Sequence, residues 1–449
     1  MEKNNDILSG ICNLSDDVYS IDKSLYGKYN VKVGLRNSDG TGVLVGLTKV
    51  GEVHGYIMDD GERLPDEGIL RYRGINIKHI VDACQRENRF GYEETAYLLL
   101  FGKLPTKSEL ECFTQYLSSV RCLPSNFTED MILKAPSKNI MNKLARCVLA
   151  TYSYDDNPDD ISVDNVLRQS FELIARMPTM IAHAFQAKRH YYDGESLILH
   201  TPRPEYTTAE NFLHMMRPNN EFTETEARIV DLALILHAEH GGGNNSSFTT
   251  HVVSSSGTDT YSAIAAAIGS LKGPKHGGAN AKVVSMMEDM KEHITDITDE
   301  EQIRNHVIKL LKKEAFDKTG LVYGIGHAVY TLSDPRAVML RDGAEKLAKE
   351  KGMEDELHMY DMVAKHTIEL FEEVTGKQKT LAINVDFYSG FIYKMLGIPL
   401  EVYTPMFALG RIAGWCAHRL EEITVSEKII RPAYKSVYKR RDFTDIENR

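Results

Sequence analysis

Helix-start signals recur along this chain, whereas the alternating pattern of β-strands is scarce. Three segments have the spacing of a capping box, with a carboxylate three residues after a threonine: Thr106–Glu109, Thr223–Glu226 and Thr298–Glu301. After the third segment, apolar residues recur at helical spacing between residues 303 and 311. Because these signals are spread over the whole length, the chain is constrained to a mainly helical fold.

Two further patterns refine this expectation. Asp334 before Pro335 predicts an N-cap with proline at the first helical position, and Gly352 predicts the end of that helix. Glycine-punctuated β-branched residues at 41–58 predict a small hairpin. No strand–helix–strand alternation is visible. The sequence therefore predicts an all-α fold with a small N-terminal β-hairpin region.

The composition limits the class of partner. The chain has 449 residues, with 53 basic and 64 acidic side chains and a net charge of -11. Nucleic-acid binding needs a basic face, so small-molecule substrates are expected and nucleic acid is not. The six cysteines are scattered without a CxxC motif, which predicts reduced thiols rather than disulfides or a zinc site. The N-terminus and the short apolar runs predict a cytoplasmic protein without a membrane partner.

Three glycine-rich segments far apart in the sequence each carry an ionisable group. Glycine beside a polar group lets a ligand approach the backbone closely. Two imidazoles and a carboxylate are the groups needed to take a proton from carbon and stabilise the resulting enol. The segments are GPKHGGAN at 273–280 with His276, GIGHAVY at 324–330 with His327, and NVDFYSG at 384–390 with Asp386.

The residues alone leave a structural alternative for each group. Asp386 has apolar neighbours that favour a raised pKa and a basic role, but it is equally suited to cap the helix that follows. His276 next to Lys275 is also typical of an exposed turn. A dinucleotide-binding loop before His327 is disfavoured, because no strand precedes it and a third glycine is missing. Arg411 in an apolar segment needs a carboxylate, which is either a ligand or an internal Asp or Glu.

Taken in order, the three segments resemble the catalytic segments of the citrate synthase family. Four more segments resemble that family, and the resemblance spans roughly residues 34 to 445. They are DEGILRYRGI at 66–75, LHAEHGGGNNSSF at 236–248, FALGRIAGW at 407–415 and IIRPAYK at 429–435. The resemblance implies a Si-type enzyme that condenses acetyl-CoA, oxaloacetate and water to citrate and CoA. A 2-methylcitrate synthase using propionyl-CoA is the alternative, since one methylene gives only about 1–3 kcal/mol of discrimination.

The resemblance also implies roles for individual residues. Asp386 would be the base, His276 the donor to the enol oxygen, and His327 the donor to the ketone. Oxaloacetate would be bound by His240, Arg336, Arg411 and Arg431. The implied contacts to CoA are Arg36, Val322, Gly324, Ile325, Gly326, Lys377, Lys379 and Asn384. Acetyl-CoA would be a co-substrate, with no tightly bound cofactor and no metal. Thr331 departs from the family, which often has a basic residue there.

The domain division and the assembly are likewise implied by the resemblance. A large helical domain would comprise residues 1–277 and 390–449, and a small helical domain residues 278–389. The protein would form a homodimer in which Arg431 completes the partner's site. A solvated basic tail is the alternative interpretation of the segment around Arg431.

Two other classes of function are weighed against this interpretation. A metallohydrolase would use His237, His240, His276, His327 and Asp386 as ligands. The HAEH spacing predicts His237 and His240 on one helical face and so permits this. An inactive helical scaffold would need no catalytic residue, but all three candidates are present. Both alternatives are therefore remote.

Overall fold

The computed structural model describes residues 20–37, 40–59, 62–327, 329–425 and 428–448. The described residues up to Leu47 form one compact unit, and those from Thr48 onward form another. The first unit contains the short helix α1 (Ser24–Lys28) and a 3-10 turn at Val33–Leu35. A single bridge joins Arg36 to Gly42 in that unit.

The second unit begins with a three-stranded antiparallel sheet. Its strands are β1 (Gly51–Asp59), β2 (Glu62–Tyr72) and β3 (Ile75–Asn76), in that order across the sheet. The hairpin lies later than the segment 41–58 that the sequence indicated, because its second strand is β2. Charged residues at the start of β2 interrupt the apolar alternation that predicts a strand.

Helices form the rest of the second unit, as the sequence predicted. They are α2 (Ile77–Arg86), α3 (Tyr92–Phe101), α4 (Lys107–Ser119), α5 (Ile140–Thr151), α6 (Val163–Asp193), α7 (Thr208–Met216), α8 (Glu224–His237), α9 (Asn245–Ser254), α10 (Thr260–Lys272), α11 (Ala279–His293), α12 (Glu300–Leu311), α13 (Pro335–Lys351), α14 (Glu354–Thr375), α15 (Val385–Met395) and α16 (Tyr403–Val425). The all-α assignment with a small β-hairpin region is confirmed.

The helix-start signals are reproduced with one correction. Capping boxes at Thr106 and Thr223 begin α4 and α8. At α12 the cap is Asp299 and not Thr298, because the Asp299 carboxylate accepts the backbone N–H groups of the second and third helical residues. Aspartate caps a helix at least as well as threonine, so the helix starts one residue later. Asp334 caps α13 as expected.

The buried helix α16 organises the second unit. It packs against α3, α6, α8, α9 and α10. A Cβ atom on Gly410 would lie 2.8 Å from the Cβ of His237, and one on Gly414 would lie 2.3 Å from the Ala238 carbonyl oxygen. The two glycines therefore allow α16 to approach the end of α8 closely. No helix in the described part of the chain is long and apolar enough to cross a bilayer.

The helices between residues 278 and 389 pack on one another. In this region α11 and α13 contact α15, and α12 contacts α14. Helix α13 also contacts α8, which lies outside the region. The division into a small domain at 278–389 and a large domain of 1–277 and 390–449 stays a prediction.

Candidate active site

The end of α8 places two histidines in different surroundings. The helix stops at His237, so His240 lies beyond it and does not share a helical face with His237, contrary to the expectation from their spacing. His237 is fully buried, lies 2.8 Å through Nε2 from the Tyr393 hydroxyl and stacks on Phe407. His237 is therefore packed into the core, whereas His240 faces the candidate site.

Arg411 on α16 has a guanidinium group that is only partly used. Its side chain is fully buried, and Nε donates to the His237 carbonyl oxygen at 2.6 Å. The two terminal nitrogens Nη1 and Nη2 are buried without a hydrogen-bond partner among the described residues. Burial lowers the pKa of Arg411 to about 10. No carboxylate in the described ranges accepts these nitrogens, so the alternative of an internal Asp or Glu partner does not hold for them there.

Arg336 in the first turn of α13 is held in place by Asp334. Its Nε and Nη2 donate to the two carboxylate oxygens of Asp334 at 3.0 and 2.7 Å. Asp334 also accepts the backbone N–H of Val385, the first residue of α15. One carboxylate therefore fixes both Arg336 and the start of the helix that carries Asp386.

His240 and His327 face each other at the site. Their ring centroids are 5.5 Å apart, and Tyr330 contacts both rings. Burial holds the pKa of His240 well below its usual value, with further lowering by Arg336. The Nε2 atom of His240 is buried without a partner among the described residues. Like Arg411, His240 therefore offers an unused polar atom.

The tautomer of His327 follows from its own loop. The backbone N–H groups of Val329 and Tyr330 both donate to Nδ1 of His327, each at 3.0 Å. Burial lowers the pKa of His327 to about 4, so the ring is neutral at about pH 7. A neutral ring whose Nδ1 accepts must carry its proton on Nε2. His327 therefore presents an N–H donor to the site.

His276 is connected to a buried hydroxyl. Its Nε2 lies 3.1 Å from Oγ of Ser246, which accepts a hydrogen bond from Nε1 of Trp415 at 3.0 Å. Burial, together with the nearby charge of Arg411, lowers the pKa of His276 to about 4. The alternative of an exposed turn histidine does not hold, because His276 lies in a turn but its ring is partly buried and contacts α9.

Asp386 is the second residue of α15 and not its cap. Asn384 is the N-cap, and its side-chain oxygen accepts the backbone N–H of Asp386 at 3.0 Å. Burial raises the pKa of Asp386 to about 6, opposed by Arg336 and reinforced by Asp334. The carboxylate is therefore free of the capping role that the sequence left open.

A glycine loop lies beside the start of α15. Ile325 bridges to Ile383, and the backbone N–H of Gly326 donates to the Ala382 carbonyl at 2.7 Å. Gly324 and Gly326 have φ values of 80° and 101°, which a side chain would strain. Val322 is buried below this loop, and Asn384 contributes its backbone N–H to Gly324 and its side chain to Gly326.

The remaining candidates are more dispersed. Lys377 and Lys379 are both exposed, and Nζ of Lys379 lies 4.0 Å from where a Cβ on Gly326 would be. Arg36 belongs to the first unit, where Nη1 donates to the Gly40 carbonyl. Arg431 lies in an exposed tail after Ile430, whose backbone N–H donates to Ser255. Within the described part of the second unit, neither Lys377 nor Arg431 contacts the other candidates.

Thr331, the departure from the family pattern, has a structural role. Its hydroxyl accepts the backbone N–H of Asp66 at 3.0 Å and contacts the Gly55 carbonyl. The side chain is buried at 8% exposure. Thr331 therefore joins the segment after His327 to the β1–β2 hairpin.

The proposed metallohydrolase ligands do not form a metal cluster. Within the described ranges, no three of His237, His240, His276, His327 and Asp386 bring their ligand atoms within 4.8 Å of one another. Charge interactions and ring contacts instead connect a set of three histidines, two arginines and one carboxylate. That set is His240, His276, His327, Arg336, Arg411 and Asp386.

Several supporting residues escaped the sequence analysis. Ser246, Tyr330 and Trp415 lie within the motif segments but had no assigned role. Ser246 contacts His276, and Trp415 donates to Ser246. Tyr330 contacts His240 and His327, and Asp334 holds Arg336. Only Asp334 gave a signal, as a helix cap, and its second role as the partner of Arg336 depends on tertiary structure. Serine next to an asparagine-rich turn carries no pattern that predicts contact with an imidazole 30 residues later.

Comparisons with known proteins agree with this geometry. The family described as "Citrate synthase, C-terminal domain" matches residues 39–433. A citrate synthase from Haloferax volcanii is 35% identical over 91% of this chain and 97% of that protein. A 2-methylcitrate synthase from Corynebacterium glutamicum is 33% identical over 84% of this chain and 92% of that protein. The crystal structure of citrate synthase from Thermotoga maritima superimposes with a TM-score of 0.72 at 29% identity, covering 93% and 99% of the two chains.

Proposed function

The chain belongs to the citrate synthase family of acyltransferases, and from that premise we propose that it condenses oxaloacetate, acetyl-CoA and water to citrate and CoA. The observation that carries the proposal is the buried guanidinium of Arg411, whose two terminal nitrogens have no partner in the described residues. An unpaired buried donor of this kind is costly unless a ligand accepts from it. A planar carboxylate matches its fork of two N–H groups.

Oxaloacetate supplies the acceptors that the site needs. One carboxylate pairs with Arg411, and the other groups of the dicarboxylate lie against Arg336 and Nε2 of His240. Asp334 already neutralises part of the charge of Arg336, so the pocket is only moderately positive before substrate binds. The dimer completes this grip through Arg431 of the other subunit.

The acetyl group requires a base and a donor. Asp386 removes a proton from the methyl carbon, since its pKa of about 6 gives a carboxylate that is more basic than usual yet ionised at about pH 7. His276 donates to the thioester oxygen as the enolate charge develops. A pKa of about 4 keeps His276 neutral. A neutral donor gives an intermediate close to an uncharged enol, which remains reactive.

If Nε2 of His276 accepts a hydrogen bond from Ser246, the proton of the neutral ring lies on Nδ1. Nδ1 is then the atom that donates to the thioester oxygen. Ser246 receives the indole N–H of Trp415 and has one hydroxyl proton to donate, either to Asn244 or to His276. Donation to His276 gives the tautomer that the reaction needs.

The new carbon–carbon bond forms at the ketone of oxaloacetate. His327 donates through Nε2 to the ketone oxygen, where negative charge develops as the enol attacks. The two backbone N–H groups on Nδ1 hold this tautomer and orient the ring. Hydrolysis of the resulting thioester then releases citrate and CoA.

Acetyl-CoA is a co-substrate in this proposal, and no tightly bound cofactor is needed. The left-handed glycines of the 322–326 loop leave its backbone open to the adenine of CoA. Lys379 near that loop is suited to a phosphate, and Arg36 and Lys377 are further candidates. Asn384 contributes by holding the loop and α15 together rather than by charge. Thr331 is committed to the hairpin and makes no phosphate contact.

Thiol release tests the proposed reaction. Purified protein should release CoA from acetyl-CoA only when oxaloacetate is present, and Arg411→Ala should raise the KM for oxaloacetate. The same assay with propionyl-CoA tests the 2-methylcitrate alternative, which is the activity named for the relative from Corynebacterium glutamicum. Faster turnover of propionyl-CoA would establish that alternative, and no thiol release with either thioester would refute both.

A further inference from the structure

A second cluster of titratable side chains lies behind His240. Glu239 follows α8, His251 lies on α9, and His418, Glu421 and Glu422 lie near the end of α16. The side chains of Glu239 and His418 are fully buried, and those of His251 and Glu422 are 13% and 10% exposed. The proposed condensation uses none of these five groups.

The hydrogen bonds within this cluster leave two nitrogens facing each other. Nε2 of His418 lies 2.9 Å from Glu239, and Nδ1 of His251 lies 2.7 Å from Glu422. Each of these nitrogens therefore donates its proton to a carboxylate. In a neutral imidazole the other nitrogen then has only a lone pair. The inner atoms, Nδ1 of His418 and Nε2 of His251, are 3.0 Å apart, so two lone pairs meet unless a cation lies against both.

A carboxylate oxygen that could bind the same cation lies close to these two nitrogens. Oε2 of Glu421 is buried without a hydrogen-bond partner in the part of the chain that the structure describes. It lies 3.9 Å from Nδ1 of His418, which is too long for a hydrogen bond. The three atoms from His251, His418 and Glu421 all lie within 4.8 Å of one another. A shared proton joins two atoms, whereas a metal ion with bonds of about 2.0–2.2 Å joins three.

The outer carboxylates match the usual support of a metal site. A histidine that binds a metal commonly donates its other N–H to a carboxylate, which fixes the ring and raises its affinity for the metal. Here Glu239 and Glu422 do this for both histidines. Three carboxylates around two imidazoles also leave negative charge for a cation to balance. Arg73 interacts with Glu239 and Glu421, and Arg411 interacts with Glu239.

We propose that His251, His418 and Glu421 form a binding site for a divalent transition metal of the zinc class, oriented by Glu239 and Glu422. Two nitrogens and one carboxylate oxygen suit such an ion, with water at a fourth position. The site is structural, since it joins α9 to α16. It also fixes Glu239, the residue directly before His240.

Metal content tests this proposal without any assay of turnover. Untagged full-length protein is treated with a chelator, incubated with ZnCl2, passed over a desalting column and analysed by mass spectrometry for zinc. Wild type should retain about one zinc per chain, and His251→Ala less than about a tenth of that. His358→Ala, which removes an exposed histidine on α14, should retain as much zinc as wild type.

A second readout guards against a variant that fails to fold. Zinc should raise the Tm of wild type and of His358→Ala but leave that of Glu421→Ala unchanged. Glu421 lies near the end of α16, so its truncation preserves the helix. A wild type without retained zinc, with the two histidines joined by a shared proton, would overturn the proposal. Equal zinc in wild type and a folded His251→Ala or Glu421→Ala would overturn it too.

Discussion

Arg411 and Asp386 are both ionisable groups whose burial disfavours the charged form. Burial lowers the pKa of Arg411 to about 10 and raises that of Asp386 to about 6. Both groups still carry their charge at about pH 7, because neither shift crosses that pH. The protein therefore keeps two poorly solvated charges of opposite sign near each other. In the proposed reaction, substrate binding pairs Arg411, whereas the carboxylate of Asp386 stays basic.

The pH dependence of activity should report Asp386. A general base works when it is deprotonated, so kcat/KM should fall about tenfold per pH unit below about pH 6. His276 and His327 have pKa values of about 4, so both stay neutral above about pH 5 and add no second limb there. A kcat/KM profile measured between about pH 5 and 8 checks this. A flat profile would contradict the assignment of the base.

Asp386→Asn should be inactive yet more stable at about pH 8. Loss of a general base should lower kcat by about 10²–10⁴-fold. The folded pKa of about 6 lies above the ordinary 3.8, so wild type gains stability as pH falls through about 6. Removing the charge should therefore stabilise the protein at high pH by at most about 3 kcal/mol, a gain that shrinks at about pH 5.

Thermal unfolding at several pH values measures this difference. Asp156→Asn, which changes an exposed loop aspartate, serves as the control and should match wild type. If Asp386→Asn keeps more than about a tenth of wild-type turnover, another group is the base.

The contact between α8 and α16 shows how elements position the site. Helix α8 ends beside α16, where Nε of Arg411 donates to the carbonyl of His237. Gly410 and Gly414 sit on the face of α16 that receives this end. The polar end of one helix thus satisfies part of a charged side chain from the other. The turn that follows α8 then places His240 at the candidate site.

Gly414→Ala should therefore destabilise the protein and distort the site. The new Cβ would lie 2.3 Å from the backbone oxygen of Ala238 and 2.5 Å from Glu239, so backbone must shift. Overpacking of this kind costs about 1–3 kcal/mol. Gly269→Ala on α10 is the matched control, because no atom lies within 4 Å of its added Cβ. That variant should be more stable by roughly 0.5–1 kcal/mol, since alanine favours helix. Unfolding in urea distinguishes the two.

Local signals in the sequence predicted which helices and strands exist better than where these elements begin and end. Caps with a local hydrogen bond, such as Thr223 and Asp334, were identified because the bond lies within three residues. The end of α8 at His237 was missed, since the HAEH spacing alone fits a continued helix. Strand β2 was missed because charged residues occupy it while its pairing with β1 supplies the stability.

Resemblance to the citrate synthase family predicted the candidate site better than physical reasoning about the individual residues did. Motifs supplied His276, His327 and Asp386, and the structure gathers them with both arginines. Their ionisation states were not available from the sequence, because burial is the main cause of each shift. The contact of Ser246 with His276 likewise depends on how α9 packs against α16.

At the scale of the whole molecule, oxaloacetate should favour closure of the proposed small domain. Arg336 and His327 lie within residues 278–389, whereas Arg411 and His240 lie outside them. A ligand that contacts both parts binds more tightly when they are close, so it shifts the population toward the closed form. Small-angle scattering should show a smaller radius of gyration with saturating oxaloacetate. Arg411→Ala should show no such compaction, and an unchanged radius in wild type would count against closure.

The other property at the scale of the whole molecule is the proposed dimer, in which Arg431 completes the partner's site. The tail at 428–448 is exposed in the single chain, apart from anchors such as the bond from Ile430 to Ser255. Arg431 follows that anchor directly and is itself exposed. An anchored arginine at a fixed place on the surface is suited to enter the site of a second subunit. We therefore expect Arg431→Ala to bind oxaloacetate weakly, whereas Arg440→Ala in the same tail should bind normally.

Mixed dimers test whether the active site is shared between subunits. In the proposed dimer, Arg431→Ala lacks a substrate contact and Asp386→Asn lacks the base, so we expect little activity from either variant alone. If Arg431 serves the partner's site, a heterodimer has one site with both defects and one site with neither. Random pairing makes half of the dimers mixed, so co-refolded mutants should regain about a quarter of wild-type activity. Co-refolding Arg440→Ala with Asp386→Asn gives the reference for a tail change without a role in the site. Activity no greater than the sum of the separate mutants, with heterodimers shown by native mass spectrometry, would mean that each site is built from a single chain.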